Sequence, residues 1–109
     1  AVPQSFMDKL DFYISKNIKD PDFDVEALAT CMHLSRSSLF RRIKAETGYN
    51  ISEYLKEKRL VMAVELINSG QTNVEELSLS CGFNSSSYFC KCFKAKYGVP
   101  PKEYIKSNN

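Results

Sequence analysis

The side chains best equipped for chemistry in this sequence are its cations, and they are unevenly spread. Residues 33–60 carry seven Lys or Arg against three Glu, and residues 71–109 carry five Lys against three Glu. Residues 1–24 run the other way, with three Lys against five Asp. A net charge of +2 is too small to argue for a polyanionic partner by itself. Segregated basic segments say more, because they are expected where one face of a protein meets an anion.

Other chemistries find little support. The four cysteines are Cys31, Cys81, Cys90 and Cys92, with no Cys-x-x-Cys pair, and His33 is the only histidine. Neither a structural zinc site nor a disulfide framework is expected from that spacing, since Cys90 and Cys92 in one helix point in different directions. Reduced thiols in a cytoplasmic protein are the expectation. There is no nucleophile–base pair on plausible supporting elements and no phosphate-cradling glycine loop, so neither an enzyme nor a bound cofactor is expected. Hydrophobic residues make up 43% of the chain, enough for a core, and no apolar run is long enough to span a bilayer. The sequence opens AVPQSF with no initiator Met, as a fragment of a longer protein would.

The elements that must carry the cations read as helices. Ser5 can cap a first helix with Asp8 at its third position, and Phe6, Leu10, Tyr13, Ile14 and Ile18 recur at helical spacing. Asp20-Pro21-Asp22 is expected to end it. Asp24 can cap a second helix with Val25, Leu28, Ala29 and Met32 as its buried stripe. His33 falls at a turn where a left-handed residue is often needed, which His tolerates better than a β-branched residue. Ser35 can then cap a third helix with Leu39 and Ile43 inside, ending at Gly48. A short helix, a tight turn and a second capped helix make a helix-turn-helix.

Residues 51–69 read as one long helix opened by Asn50 and Glu53 and closed by Gly70. At 100° per residue, Ile51, Leu55, Met62 and Leu66 share one line. Leu60, Ala63, Val64 and Ile67 share another, roughly 120° away. Two stripes predict a connector held by a separate core on each side.

Beyond this connector the earlier pattern returns. Val25-Glu26-x-Leu28 matches Val74-Glu75-x-Leu77 at an offset of 49, and Ser37-Ser38 pairs with Ser86-Ser87. From Leu39 onward the offset is 50, so Lys44-Ala45 matches Lys94-Ala95 and Gly48 matches Gly98. Gly82 stands where the first copy has His33, Asn84 is expected to cap the next helix, and Pro101 suits the first turn of a last one. The expectation is an all-α fold of about seven helices. Two helix-turn-helix subdomains, residues 5–50 and 71–109, flank the connector 51–69.

These residues resemble a known family. The run Gly82-Phe83-x5-Phe89-x3-Phe93-Lys94-x2-Tyr97-Gly98-Val99-Pro100-Pro101-x-Glu103-Tyr104 is similar to the C-terminal signature of AraC/XylS-type transcription regulators. Leu28-Ala29, Ser35-Arg36-Ser37-Ser38-Leu39-x-Arg41 and Lys44-x3-Gly48 resemble that family's first helix-turn-helix, and Arg59-Leu60-x2-Ala63-x2-Leu66 its connector. The resemblance implies a bacterial, cytoplasmic DNA-binding domain that places two recognition helices in successive major-groove segments of duplex DNA. Grooves recur about 34 Å apart, and a long connector suits that separation. It also implies RNA polymerase as a partner and no membrane contact from this segment. A sensor or dimerisation domain, or the receiver and kinase parts of a hybrid two-component protein, would lie outside this chain.

Carried over by position, the resemblance makes Ser37, Phe40 and Arg41 base-facing in the first recognition helix, with Ser35, Arg36 and Arg42 near phosphates. In the second, Ser86, Ser87, Cys90 and Lys91 would face bases, with Asn84, Ser85, Lys94 and Lys96 toward the backbone. Arg41 and Lys91 are equivalent, and each can address a guanine edge, Arg through two parallel hydrogen bonds. Lys91 stands where Arg is common and Cys90 offers little hydrogen bonding, so the second copy is expected to read sequence less sharply. Ser78 stands where the family usually has Ala, and its hydroxyl can bond back to a carbonyl. Phe40 reads equally as a core edge or as a contact to a thymine methyl, and Lys44 and Lys94 as structural or DNA-facing. The alternative function is a helical protein-interaction module that keeps the fold without binding DNA.

Overall fold

The computed structural model describes residues 5–107. Among them are seven helices and no strand: α1 (Phe6–Asn17), α2 (Val25–Met32), α3 (Arg36–Thr47), α4 (Ile51–Asn68), α5 (Val74–Ser80), α6 (Ser86–Tyr97) and α7 (Pro101–Ser107). No helix among the described residues is long and apolar enough to cross a membrane. The chain divides into two compact units, with the division between Glu57 and Lys58, inside α4.

In the first unit each helix starts at a side-chain cap. Ser5 Oγ accepts from Asp8 N–H at 3.0 Å, Asp24 Oδ1 from Ala27 N–H at 3.0 Å and Ser35 Oγ from Ser38 N–H at 3.1 Å. Such caps satisfy amide donors that have no partner within the helix. Helix α1 stops at Asn17, short of Asp20-Pro21-Asp22, because local bonds close it first. The Asn17 side-chain amide donates to the Tyr13 carbonyl at 2.8 Å, and Asp20 N–H donates to Asn17 O at 3.0 Å. The turn after α2 is made by His33 at φ 55°, left-handed as its position suggested, and Leu34 N–H then reaches Ala29 O at 3.0 Å. Leu28 and Ala29 are fully buried on α2, while Val25 and Met32 are only half-buried.

Helix α4 begins with a reciprocal capping box, Glu53 N–H to Asn50 Oδ1 at 2.8 Å and Asn50 N–H to Glu53 Oε1 at 3.2 Å. Its first half buries Ile51, Tyr54 and Leu55 in the first unit. The Tyr54 hydroxyl donates to Asp11 Oδ1 at 2.8 Å, tying α4 to α1. The second half buries Leu60, Ala63 and Ile67 against Leu77, Phe89 and Phe93. The two stripes expected along the full length therefore need correcting. Met62 and Leu66, aligned with Ile51 and Leu55 on the helical projection, are half-buried and pack on the second core. A projection sorts residues by angle and ignores which compact unit each half of the helix serves.

The second unit repeats the plan with one shift. Asn73 caps α5, Gly82 takes φ 88° at the turn, and Ser78 Oγ donates back to Glu75 O at 2.8 Å. Helix α6 is capped by Ser85, not by Asn84: Ser85 Oγ accepts from Tyr88 N–H at 3.3 Å. His33 and Gly82 are 49 positions apart, whereas the caps Ser35 and Ser85 are 50 apart. Asn84 is thus the extra residue, and Ser37 corresponds to Ser87, not Ser86. Phe89, Cys92 and Phe93 face inward from α6, and Pro101 opens α7 with Ile105 buried.

Candidate nucleic-acid interface

Helix α3 turns Leu39 and Ile43 fully inward, which leaves Ser37, Phe40, Arg41 and Lys44 on the exposed side by helical spacing. Phe40 is 48% exposed, so it stands outside the core and offers an apolar surface to a partner. Arg41 is exposed, and together with Leu34, Ser38, Arg42 and Ala45 it lines a shallow open depression. Ser35 is committed to capping, since its hydroxyl also donates to Ser38 Oγ at 2.9 Å.

The other cations of α3 each have a local contact. Arg36 Nη1 lies 3.5 Å from Glu26 Oε1, with side chains 67% and 76% exposed, a pair too wet to stabilise the fold much. Arg42 sits over the ring of Phe6 from α1, with Cζ 4.1 Å from the centroid. Lys44 Nζ donates to Gly48 O at 2.8 Å, closing the C-terminal turn of its own helix while the side chain stays exposed.

Helix α6 carries Lys91, Lys94 and Lys96, all exposed, and has no acidic residue. Ser87 is exposed, Ser86 is half-buried at the first helical position, and Asn84 is exposed in the turn before the cap. Cys90 is half-buried against the core of the second unit, and burial raises its thiol pKa. Lys96 Nζ lies 5.4 Å from the ring centre of Tyr97. The four cysteines are free thiols.

One candidate was missed in the sequence. Tyr88, 55% exposed in the first turn of α6, holds its ring 6.0 Å from that of Phe83. The neighbouring Cys92 side chain raises the pKa of its hydroxyl. The signal was available, because Tyr88 precedes the inward-facing Phe89 and must project elsewhere.

A family model described as a helix-turn-helix domain matches residues 28–107. The chain is 32% identical over 104 residues to histidine kinase P4 of Formosa agariphila, covering 95% of this chain but 8% of that protein. It is 35% identical over 88 residues to the HTH-type transcriptional activator RhaS of Mannheimia succiniciproducens, covering 81% of this chain and 33% of RhaS. The chain thus spans about a third or less of the length of these curated relatives. Among solved structures, the DNA-binding domain of AdpA in complex with a target DNA superposes with TM-score 0.86 at 25% identity, over 98% of this chain and 93% of that one. The match across α2 to α7 and the paired helix-turn-helix units agree: this chain belongs to the helix-turn-helix domain family, of the AraC/XylS type.

Proposed function

We propose that this chain binds double-stranded DNA sequence-specifically and regulates transcription, with α3 and α6 entering successive major-groove segments. The observation that carries this is the charge of the two capped helices following the tight turns. Helix α3 exposes Arg36, Arg41, Arg42 and Lys44 against a single Glu46, and α6 exposes three Lys and no carboxylate. Within this mode Ser37, Phe40 and Arg41 face bases from α3, and Ser86, Ser87, Cys90 and Lys91 from α6. Ser35, Arg36, Arg42, Asn84, Ser85, Lys94 and Lys96 lie along phosphates. Those contacts fix register, while base-edge contacts carry sequence information. Half-buried Cys90 and the flexible ammonium of Lys91 leave α6 fewer specific donors than α3, so α3 supplies most of the discrimination.

The setting follows from the same reading. The chain is the cytoplasmic DNA-binding part of a longer bacterial regulator whose sensor or dimerisation domain lies elsewhere, and RNA polymerase is its further partner. The likeness to a histidine kinase over 8% of that protein's length supports an output role in a hybrid two-component protein. The test is selection of bound duplexes from a random pool, followed by affinity measurement across salt concentrations. A recovered site with two protected patches about 34 Å apart, and affinity falling steeply with salt, is expected. Absence of salt-dependent duplex binding would leave a protein-interaction module instead.

A further inference from the structure

We propose that Phe6 is a positioning residue for the DNA interface: its ring holds the Arg42 guanidinium ready for a backbone phosphate. The inference rests on the DNA-binding reading above and extends it to α1, which lies outside the matched segment 28–107. Phe6 is the first residue of α1 and is half-buried, next to the Ser5 cap. Helix α1 is itself held by the buried Leu10 and Ile14 and by the Tyr54–Asp11 hydrogen bond, so the ring is mounted on a fixed element. The guanidinium carbon stands 4.1 Å from the ring centre, well inside the range for cation–π attraction.

Holding a cation this way differs from pairing it with a carboxylate. Arg36 meets Glu26, and a phosphate arriving there must compete with that negative charge. Arg42 has no carboxylate partner among the described residues, and an aromatic face consumes none of the five N–H donors that a phosphate would need. An exposed Arg must surrender rotamer freedom when it grips an anion, and a ring that already limits those rotamers reduces that loss. Arg42 is exposed and, with its neighbour Arg41, lines the open depression beside α3.

The experiment compares Phe6→Leu, Phe6→Tyr, Arg42→Ala and the Phe6→Leu/Arg42→Ala double variant. Each is tested for affinity to a selected duplex and thermal melting, and the variants that keep Arg42 also for its side-chain NMR shifts. Phe6→Leu keeps apolar bulk but removes the π face. Its expected effect is a loss of about 2–5-fold in affinity, with the upfield ring-current shift of the Arg42 side chain abolished. Phe6→Tyr restores both, and in the Arg42→Ala background Phe6→Leu changes affinity no further. Unchanged affinity in Phe6→Leu, with wild-type binding intact, overturns the inference and leaves the DNA-binding reading standing. An equal loss in the Arg42→Ala background also overturns it, because Phe6 would then act through the fold at large. A wild-type chain with no salt-dependent duplex binding removes the reading and the inference together.

Discussion

Replacing Arg41 by Ala separates recognition from folding more cleanly than replacing any other cation of α3. Its side chain is exposed and makes no hydrogen bond, ion pair or ring contact among the described residues, in contrast to Arg36, Arg42 and Lys44. Arg and Ala are both good helix formers, so the substitution leaves α3 intact and stability within about 0.5 kcal/mol. On DNA the expected loss is far larger. A bidentate contact to a guanine edge contributes about 1–3 kcal/mol of discrimination, or roughly 5- to 150-fold in affinity for the specific site. Affinity for unrelated duplex falls only by the general charge contribution. The assay is fluorescence anisotropy with a selected and a scrambled duplex at several salt concentrations, beside a thermal melt of each protein. Sequence selection repeated with the variant shows where preference is lost, and one relaxed base position is expected. An equally selective footprint at unchanged affinity would remove Arg41 from the base-reading set.

Leu60→Glu places a carboxylate at a position 1% exposed in the core of the second unit and costs about 3 kcal/mol or more. A melting temperature and DNA affinity equal to wild type would contradict that placement. Burial pushes the Cys81 thiol pKa from 9.0 up to about 12, so the fold holds this proton more tightly than the unfolded chain does. That stabilisation is complete below about pH 9 and is lost as pH rises toward 12. In urea unfolding the wild type is expected to lose about 1 kcal/mol more than Cys81→Ala between pH 7 and pH 10; parallel losses would refute the assignment. His33→Gly relieves a left-handed side chain at φ 55° and raises stability by about 0.5–1 kcal/mol, read as a melting temperature higher by a few degrees. A lower melting temperature would mean that the imidazole contributes to the turn.

Local signals in the sequence reported local structure well. Ser5, Asp24, Ser35 and the Asn50–Glu53 pair cap the helices where their spacing placed them, because a cap needs only a side chain and an amide three positions on. Glycine and His33 marked the left-handed turns for the same reason. What escaped depended on distant parts of the chain. The Phe6–Arg42 contact joins residues on different helices, and no periodicity encodes it. The division of α4 depends on which unit covers each half, and a single helical projection averages over both. The Asn84 error had another cause: two capping residues stand side by side, and only the turn geometry selects Ser85. Among the candidate contacts, sequence marked the basic helix faces but not which cation is already engaged. Lys44 looks like its neighbours until its bond to Gly48 is seen.

The single additional residue in the second turn carries a lesson for redesign. A helix counts its angular positions from the cap, so an insertion upstream of Ser85 leaves Ser87, Lys91 and Lys94 at the same angular steps from the cap that Ser37, Arg41 and Lys44 take from Ser35. Turn length and reading face are therefore independent dials: loops ahead of the cap can be trimmed or extended, whereas one residue added after it would swing every following side chain by about 100°.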